Sequence, residues 1–196
     1  MRQGGARYEF SADEVADLLA ELDRRLRHRG VAAAVFVVGG AAIAAAGVRD
    51  NRLTADVDAL SEEPAVLEEA AALAKDRSIP ENWLNPTARM WMPPLPEGVL
   101  DRPDHPGLRI TYADNGFLLA TKLIAQRAKD ADDVVALAAR LGMEQATADE
   151  LEAHIRRYYT NREALQFIVD GDDVDRELRF LAEGAAGLLA RRTFGS

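Results

Sequence analysis

The chain has 196 residues, 48% of them hydrophobic and 29% charged, which is the composition of a folded globular protein and excludes a disordered one. It has no cysteine, which excludes a disulfide scaffold and a thiolate metal site, and its three histidines, His28, His105 and His154, are too scattered for a His-based zinc site. A net charge of -9 excludes a general nucleic-acid coat and leaves room only for a locally basic groove.

The opening MRQGGARYEF has no apolar run of the signal-peptide kind, so a soluble, cytoplasmic protein is expected. Ser11-Ala-Asp-Glu14 is a capping box, and Val15, Leu18, Leu19, Leu22 and Leu26 follow at helical spacing until Gly30. Val31 to Val48 carries no charge over 18 residues, the lower edge of a membrane span. It is mostly Ala and Gly and is split by Gly39-Gly40, so the expectation is a buried strand at 32–38, a glycine turn and a buried helix from Ala41 to Ala46, with no membrane contact.

Thr54 to Leu60 alternates and predicts a strand. Ser61 to Pro64 opens a helix that runs to about Asp76. Residues 78–107 hold most of the prolines and both tryptophans, Trp83 and Trp91, and predict loop with one edge strand at Arg89 to Met92. Leu108 to Tyr112 is a further strand. Asn115 is expected to cap a long helix from Gly116 to about Leu141, ended by Gly142. Thr147 to Glu150 is a second capping box, with a helix to about Tyr159, and a last helix covers about 172–191. The fold class expected is α/β (α+β): a small mixed sheet with flanking helices, followed by a helical C-terminal half. The boundary falls between 1–114 and 115–196.

Two features of the first half carry chemistry. Glycines at 39 and 40 let a phosphate approach the backbone, and a helix start offers free N–H groups. Asp56 and Asp58, two residues apart on a strand, face the same way. Their flanks, Val57, Ala59 and Leu60, are apolar, and two aspartates in a largely buried strand are costly without a cation partner. Mg²⁺ prefers oxygen ligands and shares its shell with phosphate oxygens, so a Gly-Gly cradle beside an Asp-x-Asp clamp suits a nucleoside triphosphate (NTP).

The passage VFVVGGAA followed by Arg52-Leu-Thr54-Ala-Asp56-Val-Asp58 resembles the DNA polymerase β-like nucleotidyltransferase superfamily. Within it, the chain looks most like the bacterial branch of AbiEii-type and MenT-type toxins of toxin–antitoxin systems. That branch carries an activating lysine on a helix and then an R-x-K-D-x-x-D run, as in Lys122 and Arg127-Ala-Lys129-Asp130-Ala-Asp132-Asp133. The resemblance covers about residues 31–141. It implies a nucleotidyltransferase fold whose helical C-terminal lobe completes the cleft. It also implies transfer of a nucleoside monophosphate from an NTP to a hydroxyl, with the 3′ end of tRNA as acceptor and a cognate antitoxin as partner. The catalytic set it implies is Asp56, Asp58, Lys122 and Asp130. Gly39, Gly40, Arg52, Thr54, Lys122 and Lys129 would bind nucleotide. Asp56 and Asp58 would hold Mg²⁺, with Mn²⁺ as the alternative ion.

On the one helix expected here, Lys122, Gln126, Lys129 with Asp130, and Asp133 form one polar stripe. Lys122 would meet phosphate as a point charge, and Asp130 would orient a group, complete the metal site or act as base. One departure stands out. Many superfamily members carry a third carboxylate on a later strand, whereas Leu108 to Tyr112 has none, and Asp114 just after it is read as a turn or helix cap. Arg156-Arg157-Tyr158-Tyr159 with Arg162 is either an RNA grip or an ordinary helix end, and Arg49 with Arg52 flanks the expected pocket. The acidic run Asp170 to Asp175 lacks calcium-loop order and predicts a helix N-terminus. The alternatives are a nucleotidyltransferase acting on a protein or small molecule, a degenerate nucleotide-binding or regulatory module, and a helical interaction protein.

Overall fold

A computed structural model describes residues 8–49, 51–169 and 171–193. The chain divides into two compact units. One comprises the chain up to Ala88 together with Glu97–Tyr112, the other Arg89–Pro96 with the chain from Ala113 onward.

The first unit is a mixed four-stranded sheet with flanking helices. It begins with α1 (Ala12–His28), where Ser11 Oγ accepts from the Glu14 N–H at 3.2 Å and the Glu14 carboxylate accepts from the Ser11 N–H at 2.8 Å. Val15, Leu18, Leu19, Leu22 and Leu26 are buried as the spacing requires, each such leucine contributing about 1.5–3 kcal/mol of transfer free energy. Then come β1 (Ala32–Val37), α2 (Gly39–Ala45), β2 (Val57–Leu60), α3 (Pro64–Arg77), β3 (Leu84–Asn85) and β4 (Gly107–Tyr112). The sheet order is β3-β2-β1-β4: β1 is antiparallel to β2 and parallel to β4, and β2 is parallel to β3. Asp23 ties α1 to β4, its two oxygens accepting from the Leu108 N–H at 2.7 Å and from Arg27 Nε at 2.8 Å. Trp83 is fully buried and donates from Nε1 to the Ala70 carbonyl of α3 at 2.9 Å.

Two expectations change here. The ladder covers only Val57–Leu60; Thr54 pairs instead with Phe10 through two backbone hydrogen bonds of 2.7 and 2.9 Å. The segment expected as an edge strand at Arg89 to Met92 is a 3₁₀ turn over Thr87–Trp91, and the strand lies earlier, at Leu84–Asn85. The residue before Pro86 is biased toward extended backbone, which favours a strand end there.

The second unit is helical: α4 (Asn115–Ala125), a 3₁₀ turn (Ala128–Asp130), α5 (Ala131–Arg140), α6 (Ala148–Tyr158), α7 (Arg162–Ile168) and α8 (Val174–Thr193). Asp114, and not Asn115, caps α4, its Oδ1 accepting from the Phe117 N–H at 2.7 Å. The Thr147 capping box forms as expected. Helix α7, which sequence patterning missed, starts at Asn161, whose Oδ1 accepts from the Ala164 N–H at 3.0 Å. Tyr159 donates to the Trp91 carbonyl at 2.7 Å, which ties Arg89–Pro96 to this unit. The expected helix from 116 to 141 is broken at Gln126, which sits in the left-handed region at φ 39° and donates from Nε2 to the Leu181 carbonyl. The expected polar stripe therefore does not exist as a stripe.

Candidate functional site

The β1–α2–β2 passage assembles one cluster. Gly39 has φ +63°, a region that glycine enters without strain, and a Cβ there would lie 2.8 Å from Asp58 Oδ2. A Cβ on Gly40 would lie 2.7 Å from Thr54 Oγ1 and 3.3 Å from Arg52 Nη2. Glycine is thus required twice in succession because two polar side chains of the returning segment rest against bare backbone. Thr54 is buried and its hydroxyl donates to the Asp56 carbonyl at 2.8 Å, which fixes the bend before β2. Arg52 Nη1 donates to the Leu53 carbonyl. Asp56 and Asp58 are half-buried while Val57 between them is buried, the alternation expected of carboxylates on one face. Helix α2 has only seven residues, so the helix-dipole part of the sequence argument has little to act with.

Asn85 is the residue that sequence reasoning missed. It is buried, stands in register with Asp58 on β3, and donates from Nδ2 to Asp56 Oδ2 at 3.2 Å and to the Asn82 carbonyl at 3.4 Å. Its Oδ1 accepts from the Thr87 N–H at 3.0 Å. The only local signal was a short apolar pair, Trp83-Leu84, followed by a pre-proline residue. The strand searched for a third carboxylate, Leu108 to Tyr112, borders β1, not β2. Asp114 is occupied as a cap.

The remaining expected residues belong to the second unit. Lys122 is buried, and its ammonium donates to Asp130 at 2.7 Å and Asp133 at 3.1 Å, both also buried. Arg127, more than half exposed, donates to the other oxygen of Asp130 at 2.9 Å. On a continuous helix Lys122 and Asp130 would be separated by ~12 Å along the axis, and Lys122 and Asp133 by ~16 Å. The break at Gln126 is what brings them together. Lys129 is exposed. His154 is buried, donates from Nε2 to the Gly116 carbonyl at 2.9 Å, and is held below its usual pKa by burial, against the opposing pull of that carbonyl.

The basic-aromatic run is largely committed within its own unit. Arg156 and Arg162 both donate to Asp175, at 2.7 Å and 2.7–2.9 Å, and Tyr159 is buried. Asp173, just before α8, accepts from the Asp175 and Arg176 N–H groups, as an acidic helix start should; Asp170 lies outside the described residues. A cavity of about 740 Å³ in the same unit is lined by Met143, Glu144, Glu150, His154 and Arg157 among others, and none of the expected site residues lines it.

Among the described residues no group of three or more His, Asp or Glu is placed to hold a metal ion. The pair Asp56 and Asp58 still fits Mg²⁺, which is commonly held by one or two carboxylates and completes its shell with phosphate oxygens and water. No helix among the described residues is long and apolar enough to cross a membrane. No family model, curated protein or solved structure matches this chain.

Proposed function

We propose that the chain is a Mg²⁺-dependent nucleotidyltransferase with a DNA polymerase β-like core, moving a nucleoside monophosphate from an NTP to a hydroxyl acceptor. The observation that carries this reading is the seating of the Asp58 carboxylate against Gly39, with Asp56 two residues before it and Thr54 against Gly40. Backbone without side chains lies directly beside carboxylates, which is what a triphosphate chelated to a cation needs. The order strand, Gly-Gly, helix, antiparallel strand supports the same reading.

Asp56 and Asp58 would hold the ion, which when bound supplies charge neutralisation on the triphosphate and stabilises the attacking and leaving oxygens, with Mn²⁺ as the alternative. Gly39 and Gly40 give the phosphate oxygens access to the main chain. Arg52, beside Gly40, adds positive charge for phosphate, a part that the resemblance also suggests for Lys129. Lys122 is buried, with two of its three N–H donors given to Asp130 and Asp133. The acceptor oxygen bonds to the α-phosphorus, the bond from that phosphorus to pyrophosphate breaks, and the hydroxyl proton passes to a general base; Asp130, which the resemblance suggests for that part, is enclosed between Lys122 and Arg127. The resemblance to the toxin branch supports the 3′ end of tRNA as acceptor, an antitoxin as partner and a cytoplasmic setting.

The test is incubation of the purified protein with total bacterial RNA, Mg²⁺ and each of the four α-³²P NTPs, beside Asp58→Ala. A tRNA-sized labelled band that needs both Mg²⁺ and Asp58 is the expected result. Absence of label with every NTP removes RNA transfer and moves the search to protein or small-molecule acceptors. A second reading, nucleotide binding without transfer, is favoured by the lack, among the described residues, of a third carboxylate grouped with the pair. It predicts NTP binding with no labelled product.

A further inference from the structure

The geometry points to Asn85 as the positioning residue of the proposed metal clamp: its amide fixes the Asp56 carboxylate so that the cation is offered the other oxygen, Oδ1. The inference rests on the metal-dependent reading above.

Asn85 is buried, so its polar atoms need partners: Oδ1 has one, and Nδ2 has two, Asp56 and the Asn82 carbonyl. The acceptor, Oδ1, takes the Thr87 N–H at 3.0 Å and anchors the side chain to the turn after β3. The donor, Nδ2, is thereby aimed at Asp56 Oδ2, at 3.2 Å, across a separation of 29 residues. Strand pairing sets the distance, since Asn85 stands in register with Asp58, the other member of the pair. The Asp56 backbone is held independently, by the Thr54 hydroxyl on its carbonyl at 2.8 Å. Main chain and carboxylate are therefore fixed by two different residues.

A neutral amide suits this place. A lysine or arginine there would neutralise Asp56 and compete with a cation, and an aliphatic residue would leave the carboxylate free to rotate. An amide orients the carboxylate and leaves its negative charge for the ion. Residues that hydrogen-bond to metal-ligating groups in this way typically contribute 10- to 100-fold in metal affinity.

The test uses Mn²⁺ as probe, measured by electron paramagnetic resonance on the full chain without nucleotide or acceptor. Asn85→Ser is the informative variant. Its hydroxyl can keep the contact to the N–H two residues on, as Ser61 does with Glu63 at 3.2 Å in this protein, but is too short to reach Asp56. Leu84→Ala is the control: it removes a buried side chain from the same strand and leaves the amide in place. The expected result is an Mn²⁺ Kd raised about 10- to 100-fold in Asn85→Ser, with Leu84→Ala lowering the melting temperature but binding Mn²⁺ like the wild type. Wild-type affinity in Asn85→Ser, or equal weakening in Leu84→Ala, overturns the positioning role while leaving the metal clamp standing. Should Asn85→Ser not fold, Asn85→Thr, whose hydroxyl is equally short, offers no carboxylate to the ion and suits a strand, is scored the same way: an Mn²⁺ Kd equal to the wild type overturns the role. Mn²⁺ binding to the wild type that survives Asp56→Ala with Asp58→Ala, or no binding at all, fails the metal-dependent reading itself, and the inference falls with it.

Discussion

Asp56 and Asp130 were expected to act in one reaction, yet their surroundings differ in kind. Asp130 is fully enclosed and meets two cations, Lys122 and Arg127, with Asp133 sharing the lysine. Asp56 is half-buried, and the hydrogen bond to its carboxylate comes from a neutral amide. The first arrangement supplies its own counter-charge and gives it a structural task, closing the break between α4 and α5. The second orients negative charge without cancelling it, which leaves the carboxylate able to take a cation from solution. A buried ion cluster and the proposed ligand site thus contain the same residue types and differ in the neighbours these meet.

The sharpest way to break this comparison is to remove a charge from each region. Lys122→Met leaves two buried carboxylates short of their cation and is expected to cost about 3–5 kcal/mol of stability, read from urea denaturation. Asp56→Asn, which keeps shape and can accept the same contact, is expected to change stability by less than about 1 kcal/mol while abolishing Mn²⁺ binding. A large loss in Asp56→Asn, or a small one in Lys122→Met, would reverse the assignment of structural and ligand-binding carboxylates.

Next in size is Gly39→Ala. The new Cβ sits at positive φ and 2.8 Å from Asp58 Oδ2, so a loss of about 1–2 kcal/mol is expected together with loss of nucleotidyl transfer. In an Asp58→Ala background the collision is gone and only the backbone strain remains. The cost of Gly39→Ala should therefore shrink in that background, a coupling that a double-mutant cycle measures. Additive costs would show that Asp58 does not rest against the glycine.

The second unit also carries a pH signature, at His154. Burial lowers the His154 pKa, so the unfolded chain takes up that proton at higher pH than the folded one. The contribution is therefore fully present above the unfolded value near 6.5 and is lost as pH falls below it and through the folded value. A single proton gives a slope of at most about 1.4 kcal/mol per pH unit. Denaturation midpoints between pH 5 and 8 should show this fall, and His154→Gln should flatten it. The smallest effect is expected at the surface: Arg29 pairs with exposed Glu68 and half-buried Glu69, and Arg29→Ala should shift stability by less than about 1 kcal/mol.

What could be read in advance follows the range of the physical signal. The Ser11 and Thr147 boxes complete themselves within three residues, and the leucine spacing of α1 needs only one helix and one apolar face. The glycine pair and the Asp-x-Asp spacing were legible for the same reason, because both express backbone geometry over a few residues. The edge strand was misplaced and α7 missed because short elements carry little periodicity to detect.

The sequence by itself determined the mixed α/β beginning, the helical ending and the cluster of glycines and carboxylates between β1 and β2, all through local patterning. Only the tertiary structure decided what each carboxylate would meet. Asp56 finds its amide 29 residues away through strand pairing, and Lys122 finds Asp130 and Asp133 through a break at Gln126, whose amide is held by Leu181, 55 residues on. Such partners are chosen by the burial of whole elements, since a polar group taken out of water must be satisfied by whatever packing brings beside it.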